Sequence, residues 1–148
     1  MKSLQDERDR LEVLRRLERL APDAQPGWGR LTAPRMVCHV GDALRVALGE
    51  RAMRPPTSRR FTRFPLKHLF LYVIPMPRNL PTARELLSTA PSDFEQDRRV
   101  CADLVRRFES CPSSGKGPGH QVLGVLTWPQ WGVLQWRHLD HHLRQFGA

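Results

Sequence analysis

Thr127-Trp128-Pro129-Gln130-Trp131-Gly132-Val133-Leu134-Gln135-Trp136-Arg137-His138-Leu139-Asp140-His141-His142-Leu143-Arg144-Gln145-Phe146 is the stretch on which the fold turns. Thr127 and Gln130 have the spacing of a capping box, in which side chains and backbone at a helix start satisfy each other. Pro129 falls in the first turn, where a missing N–H costs little. The helix then runs to Phe146 with two distinct stripes. Leu139, Leu143 and Phe146 form an apolar stripe that needs a packing partner. His138 and His142 lie on a second, in line with Trp131, Leu134 and Gln145. Four residues of helix separate them by about 6 Å along the axis and about 40° around it, so both imidazoles occupy one face.

The rest of the chain reads as further helices. Ser3 is the candidate cap of a first helix, with Leu4, Leu11, Leu14, Leu17 and Leu20 down one side and Ala21-Pro22-Asp23 as its stop. The turn-rich link Gln25-Pro26-Gly27-Trp28-Gly29 carries an aromatic ring that must pack. Thr32 caps a second helix with Pro34 in its first turn, running to about Leu48 with Gly49 just beyond its end. A basic, proline-bearing connection follows (Arg51, Arg54, Pro55, Pro56, Arg59, Arg60, Arg63), then a short apolar helix or extended segment from Leu66 to Ile74. Thr82 with Glu85, and Ser92 with Glu95, repeat the capping-box spacing, and the second pair opens a helix from Asp93 to about Glu109. Ser113 to Gly119 reads as a flexible loop. No segment alternates with a two-residue period and there is no internal repeat. The expectation is an all-α helix bundle forming a single domain over residues 1–148.

At 148 residues with 40% hydrophobic and 26% charged side chains, the chain can bury a core without a disulfide staple. It carries a formal charge of +9, and Lys2, Lys67 and Lys116 are the three lysines among its 24 basic residues. Such a balance suits a nucleic-acid binder. However, the arginines are spread out and interleaved with acids, as in Asp6-Glu7-Arg8-Asp9-Arg10, which favours solvated helix faces over a phosphate-binding strip. Cys38, Cys101 and Cys111 form no C-x-x-C pair. No apolar segment precedes the first charges, and the apolar run Phe64 to Met76 is broken by Pro65, Lys67, His68 and Pro75. The expectation is a cytoplasmic protein with no membrane partner.

A buried pair of imidazoles is costly unless each nitrogen has a partner, and a metal ion satisfies both at once. The second helix offers a third ligand, His39, within Met36-Val37-Cys38-His39-Val40-Gly41-Asp42. Val40, Leu44 and Ala47 mark that helix as largely buried. Three histidines from two facing helices make an ordinary bundle metal site with an open position for water or a substrate thiolate. His141, three residues from His138, either replaces or assists one of them. Asp42 either steadies the His39 ring or forms a plain salt bridge with Arg45. Asp42 and His141 are the candidate catalytic proton relays. Cys38 points about 100° away from His39 and reads as a small buried hydrophobe. His68 and His120 read as surface or loop residues. The competing reading is a non-enzymatic basic module, in which Arg51 to Arg63 dock on nucleic acid or an acidic protein and the metal site is structural or vestigial.

Three stretches carry a family resemblance: Trp28-Gly29-Arg30-Leu31-Thr32-Ala33-Pro34-Arg35-Met36-Val37-Cys38-His39, Pro75-Met76-Pro77-Arg78-Asn79-Leu80-Pro81-Thr82, and His138-Leu139-Asp140-His141-His142-Leu143-Arg144-Gln145-Phe146-Gly147. From about Leu11 to Gly147 the chain resembles the DinB-like superfamily, in particular a branch carrying a domain of unknown function. The resemblance implies an up-down-down-up four-helix bundle, often a homodimer, with His39, His138 and His142 as ligands to a divalent ion such as zinc or nickel. It implies a metal-dependent hydrolase or thiol S-transferase acting on a small molecule. His120 stands where this branch has a histidine before a short apolar turn, with Gln121 in place of the usual proline.

Overall fold

The computed structural model describes residues 1–54, 65–78 and 82–148. Among these lie five α-helices: α1 (Glu7–Glu18), α2 (Ala33–Ala47), α3 (Leu66–Tyr72), α4 (Phe94–Arg106) and α5 (Trp128–Gln145). Two short strands, β1 (Lys116–His120) and β2 (Gly124–Thr127), and 3₁₀ turns at Arg84–Leu87 and Arg107–Ser110 complete the described elements.

Local chemistry accounts for most boundaries. The Thr127 capping box is complete, with side-chain bonds in both directions between Thr127 and Gln130. Thr32 accepts from the Arg35 amide, and Gly49, at φ 79°, takes the left-handed conformation that ends α2. Three expected caps fall elsewhere. Asp6, not Ser3, caps α1 by accepting from the Asp9 amide at 3.1 Å, while the Ser3 amide donates to Asp9 Oδ2 in the preceding turn. Asp93, one residue past Ser92, caps α4 through the Gln96 amide, because Ser92 is bonded to Asp97 instead. Thr82 caps nothing: the 3₁₀ turn starts after Ala83 without a side-chain cap. The leucine stripe of α1 holds at Leu4, Leu14, Leu17 and Leu20, which are buried or packed on the core, and fails at Leu11. Leu4 precedes the helix, and the buried face is Arg10, Val13 and Leu17, leaving Leu11 41% exposed.

The four long helices close a ring in which α1 and α2 each pack against both α4 and α5. Contacts at both ends fix their directions. The Leu4 amide bonds the Gly132 carbonyl and Arg16 pairs with Asp140 at 2.6 Å, so α1 and α5 run parallel. Arg98 donates to the Glu18 carbonyl and Arg10 reaches Glu109, so α4 runs against α1. Cys38 bonds Asp97, and Glu50 just past α2 pairs with Arg107 just past α4, so these two run parallel. The buried apolar side chains form one cluster, with Met36, Leu44, Leu71, Phe108, Trp131 and Leu143 among the largest.

The expectation of a purely helical chain needs one correction. Lys116–His120 and Gly124–Thr127 pair as an antiparallel hairpin, with His120 opposite Gly124. Its sequence gave no strand signal because β1 is Lys-Gly-Pro-Gly-His, without β-branched residues or alternation. The ladder is held from outside: Leu123 and Leu126 are fully buried, and Trp131 Nε1 donates to the Pro118 carbonyl at 2.9 Å. The Leu66 to Ile74 segment is helical, as α3. Among the described residues no helix is long and apolar enough to cross a membrane.

Candidate metal centre

The buried faces of α2 and α5 bring His39, His138 and His142 together, with one ring nitrogen of each within 4.8 Å of the others. Their ring centroids make a nearly equilateral triangle, with sides of 4.9, 4.8 and 4.7 Å, and each pair of rings meets edge to face. The Nε2 atoms of His39 and His138 are 3.1 Å apart. Two nitrogens each about 2.0–2.1 Å from a tetrahedral zinc stand about 3.3 Å apart. The observed spacing therefore matches two ligands on one ion without movement of either helix.

Tautomers decide whether those nitrogens can bind a metal, and here the partners fix them. His39 Nδ1 lies 2.9 Å from the Leu86 carbonyl, which only accepts, so Nδ1 carries the proton and Nε2 presents its lone pair. His142 Nδ1 lies 2.9 Å from Gln145 Oε1. The Gln145 amide is oriented by its own nitrogen, which donates to the Trp28 carbonyl. His142 is thereby also an Nδ1–H tautomer with its Nε2 free. Burial lowers the proton affinity of all three rings, and their mutual repulsion adds to the effect at His138 and His142, with His142 at about 3. His39 and His142 present lone pairs fixed by their partners, and at the spacing shown His138 Nε2–H donates to that of His39. Three neutral imidazoles so placed suit a divalent cation once His138 carries its proton on Nδ1.

Asp42 does not hold the His39 ring. It is fully buried, and its carboxylate accepts from the Thr89 amide and hydroxyl, the Ser88 hydroxyl and Arg51 at 2.8 Å. Burial alone would raise its pKa, but the Thr89 and Ser88 bonds and the Arg51 charge outweigh it and leave the carboxyl below its usual range. Arg45, the expected salt-bridge partner, stands at 3.4 Å. Asp42 thus acts at one remove, by pinning the segment that places the Leu86 carbonyl on His39. Arg35 pins the same segment through the carbonyls of Leu87 and Thr89.

His141 lies outside the convergent set. Its ring sits 5.1 Å from His142 and 5.7 Å from Trp28, and the Arg78 guanidinium lies over the Trp28 ring at 4.1 Å. His68 is exposed on α3 beside Tyr72. Cys38 is buried against Asp97, and burial followed by the Asp97 charge pushes its thiol up to about 11, so it is no nucleophile. Of the basic connection, Arg51 pairs with Asp42 and Arg54 with Glu85 at 3.2 Å, while Arg59, Arg60 and Arg63 lie outside the described residues. Sequence reasoning missed Leu86, whose contribution is a backbone atom, and the role of Gln145, although its three-residue spacing from His142 on one helix face was a usable signal.

Fold and site together define a mostly helical protein with a small hairpin and a three-histidine cluster compatible with a metal site. No protein-family model matches the chain, and no curated protein or solved structure matches it either.

Proposed function

We propose that the chain is a DinB-like bundle protein in which His39, His138 and His142 hold a divalent ion, zinc or nickel, for hydrolysis or thiol transfer on a small-molecule substrate. The observation carrying this reading is the pair of enforced Nδ1–H tautomers, which aim the Nε2 lone pairs of His39 and His142 at the same point as His138. A structural role would need no such arrangement, because buried histidines are ordinarily satisfied by donating and accepting to separate partners. In chain order the long helices α1, α2, α4 and α5 run up, down, down and up, which supports the DinB-like assignment.

When bound, such an ion supplies Lewis acidity at an open coordination position, the property shared by hydrolytic and thiol-transferring centres. The chain's own residues do the rest. Leu86 and Gln145 keep the His39 and His142 rings from rotating and hold their protons on Nδ1. His141, beside His142 and half-buried at the Trp28 edge, is placed to carry a proton between the cluster and solvent.

Elemental analysis of untagged protein purified without chelators tests the reading. One equivalent of zinc or nickel per chain at neutral pH, retained to well below about pH 6.5 because burial holds the three rings unprotonated there, is the expected result. Equal metal content in wild type and a His138→Ala/His142→Ala double variant would refute the ligand set.

A further inference from the structure

The hairpin places one more histidine near this centre. His120 ends β1, and four residues later Gly124, at φ 70°, starts β2. Within that turn His120 Nδ1 accepts from the amides of both Val122 and Leu123, each at 3.1 Å. A nitrogen receiving two N–H bonds carries no proton, so the ring's single proton sits on Nε2, on the side away from the turn. Leu123 is fully buried and anchors the arrangement. The ring lies 5.6 Å from Trp131 and close enough to His138 to disfavour that ring's protonation. Burial holds its own pKa at about 4, so it stays neutral across the physiological range.

His120 also lines a cleft of about 360 Å³ together with Arg51, Met53, Arg54, Pro118 and Val125. Among the described residues of that lining the polar side chains are Arg51, Arg54 and His120, with no acid. Arg51 spends its Nη1 on Asp42, the Glu85 carbonyl and Ser88 Oγ, and Arg54 its Nε on Glu85, so of the five N–H groups on each guanidinium the remaining ones are the donors left over. A wall of donors beside apolar surface complements a ligand carrying acceptor oxygens.

We propose that this cleft is the subsite for the carboxylate-bearing part of a substrate, with His120 serving as a permanent Nε2–H donor to it and not as a base or a fourth metal ligand. The proposal rests on the histidine cluster being the reactive centre, since that is what gives a cleft at this position its use. Three measurements on the full chain separate the two ideas. Long-range ¹H–¹⁵N spectra of metal-free protein should show His120 protonated at Nε2 alone; a proton on Nδ1 overturns the assignment without reference to any metal. Benzoate titrated into the same sample should shift the His120 Nε2 and Val125 amide signals to saturation, and benzamide should bind more weakly. In His120→Asn, the Oδ1 atom can still accept from the Val122 and Leu123 amides while the Nε2–H is gone. Benzoate affinity should fall about tenfold in this variant with zinc stoichiometry unchanged. Unaltered benzoate binding in His120→Asn, or no benzoate effect at His120, overturns the subsite. Failure of the wild type to bind zinc overturns the metal reading instead. The tautomer is read on unaltered protein, so a misfolded variant leaves that test standing.

Discussion

Gln145 is buried in the last turn of α5 and uses both ends of its amide, its oxygen accepting from His142 Nδ1 and its nitrogen donating to the Trp28 carbonyl. No other orientation satisfies both partners, because a flipped amide would face the Trp28 carbonyl with its own oxygen. Gln145→Leu keeps the volume and removes the constraint, so His142 becomes free to present either nitrogen. Zinc affinity should fall about 10–100-fold, the usual effect of losing a group that orients a histidine ligand, while helicity is unchanged. Competition against a chromophoric chelator measures it; an affinity equal to wild type would mean that Gln145 does not set the tautomer. His39 has no equivalent variant, since its partner is a backbone carbonyl. This is why the sequence revealed the three rings but not what aims them: spacing identifies side chains on a face, whereas Leu86 contributes an atom that every residue possesses.

At the scale of elements, the segment around Arg84–Leu87 is a short 3₁₀ turn without a side-chain cap, yet it has to place the Leu86 carbonyl accurately. Its order comes from α2, through Arg35 on two carbonyls and Asp42 on Ser88 and Thr89. Asp42→Ala should therefore cost about 1–3 kcal/mol by leaving charged donors unpaired, and should also weaken zinc binding although Asp42 touches none of the three rings. Urea denaturation with and without zinc reads both effects; a stability loss with intact zinc affinity would separate Asp42 from the site. The hairpin gives a second test. A Cβ added at Gly117 would lie 2.8 Å from Trp131 Cδ1, too close for either to stay in place. Gly117→Ala should cost about 1–3 kcal/mol and shift tryptophan fluorescence as the ring is displaced; an unchanged spectrum would show that the strand moves instead. Helices were legible where a cap and an apolar period agreed, as at Thr32 and Thr127. The hairpin was not, because its stability resides in Leu123, Leu126 and Trp131 and not in the strand residues themselves. Ser92 misled by a single position, since Asp93 beside it is an equally good cap and Asp97 occupies the serine.

For the whole molecule, the histidines make stability a function of pH whose direction follows from their environment. His120 and His142 titrate at about 4 and about 3 in the folded chain, and His39 and His138 are shifted the same way. Unfolded, each returns to about 6.5. Above that value both states are neutral and these groups add no pH dependence. Below it the unfolded chain takes up protons that the folded chain refuses, so acidification favours unfolding by at most about 1.4 kcal/mol per pH unit for each histidine. Asp42 is depressed from a lower starting point, so the stability it contributes is complete above about pH 4 and lost only in stronger acid. The two classes occupy separate windows. Urea midpoints should hold level above about pH 6.5 and then drop steeply toward pH 4.5, before most carboxylates titrate. The His138→Ala/His142→Ala variant should flatten that drop. Added zinc should raise the midpoint at neutral pH and keep raising it through this acid window, because the folded rings leave their lone pairs to the cation until well below it. A midpoint that stays level through pH 5 would mean that the three rings accept protons in the folded state, and the convergent, proton-repelling cluster would have to be abandoned with it.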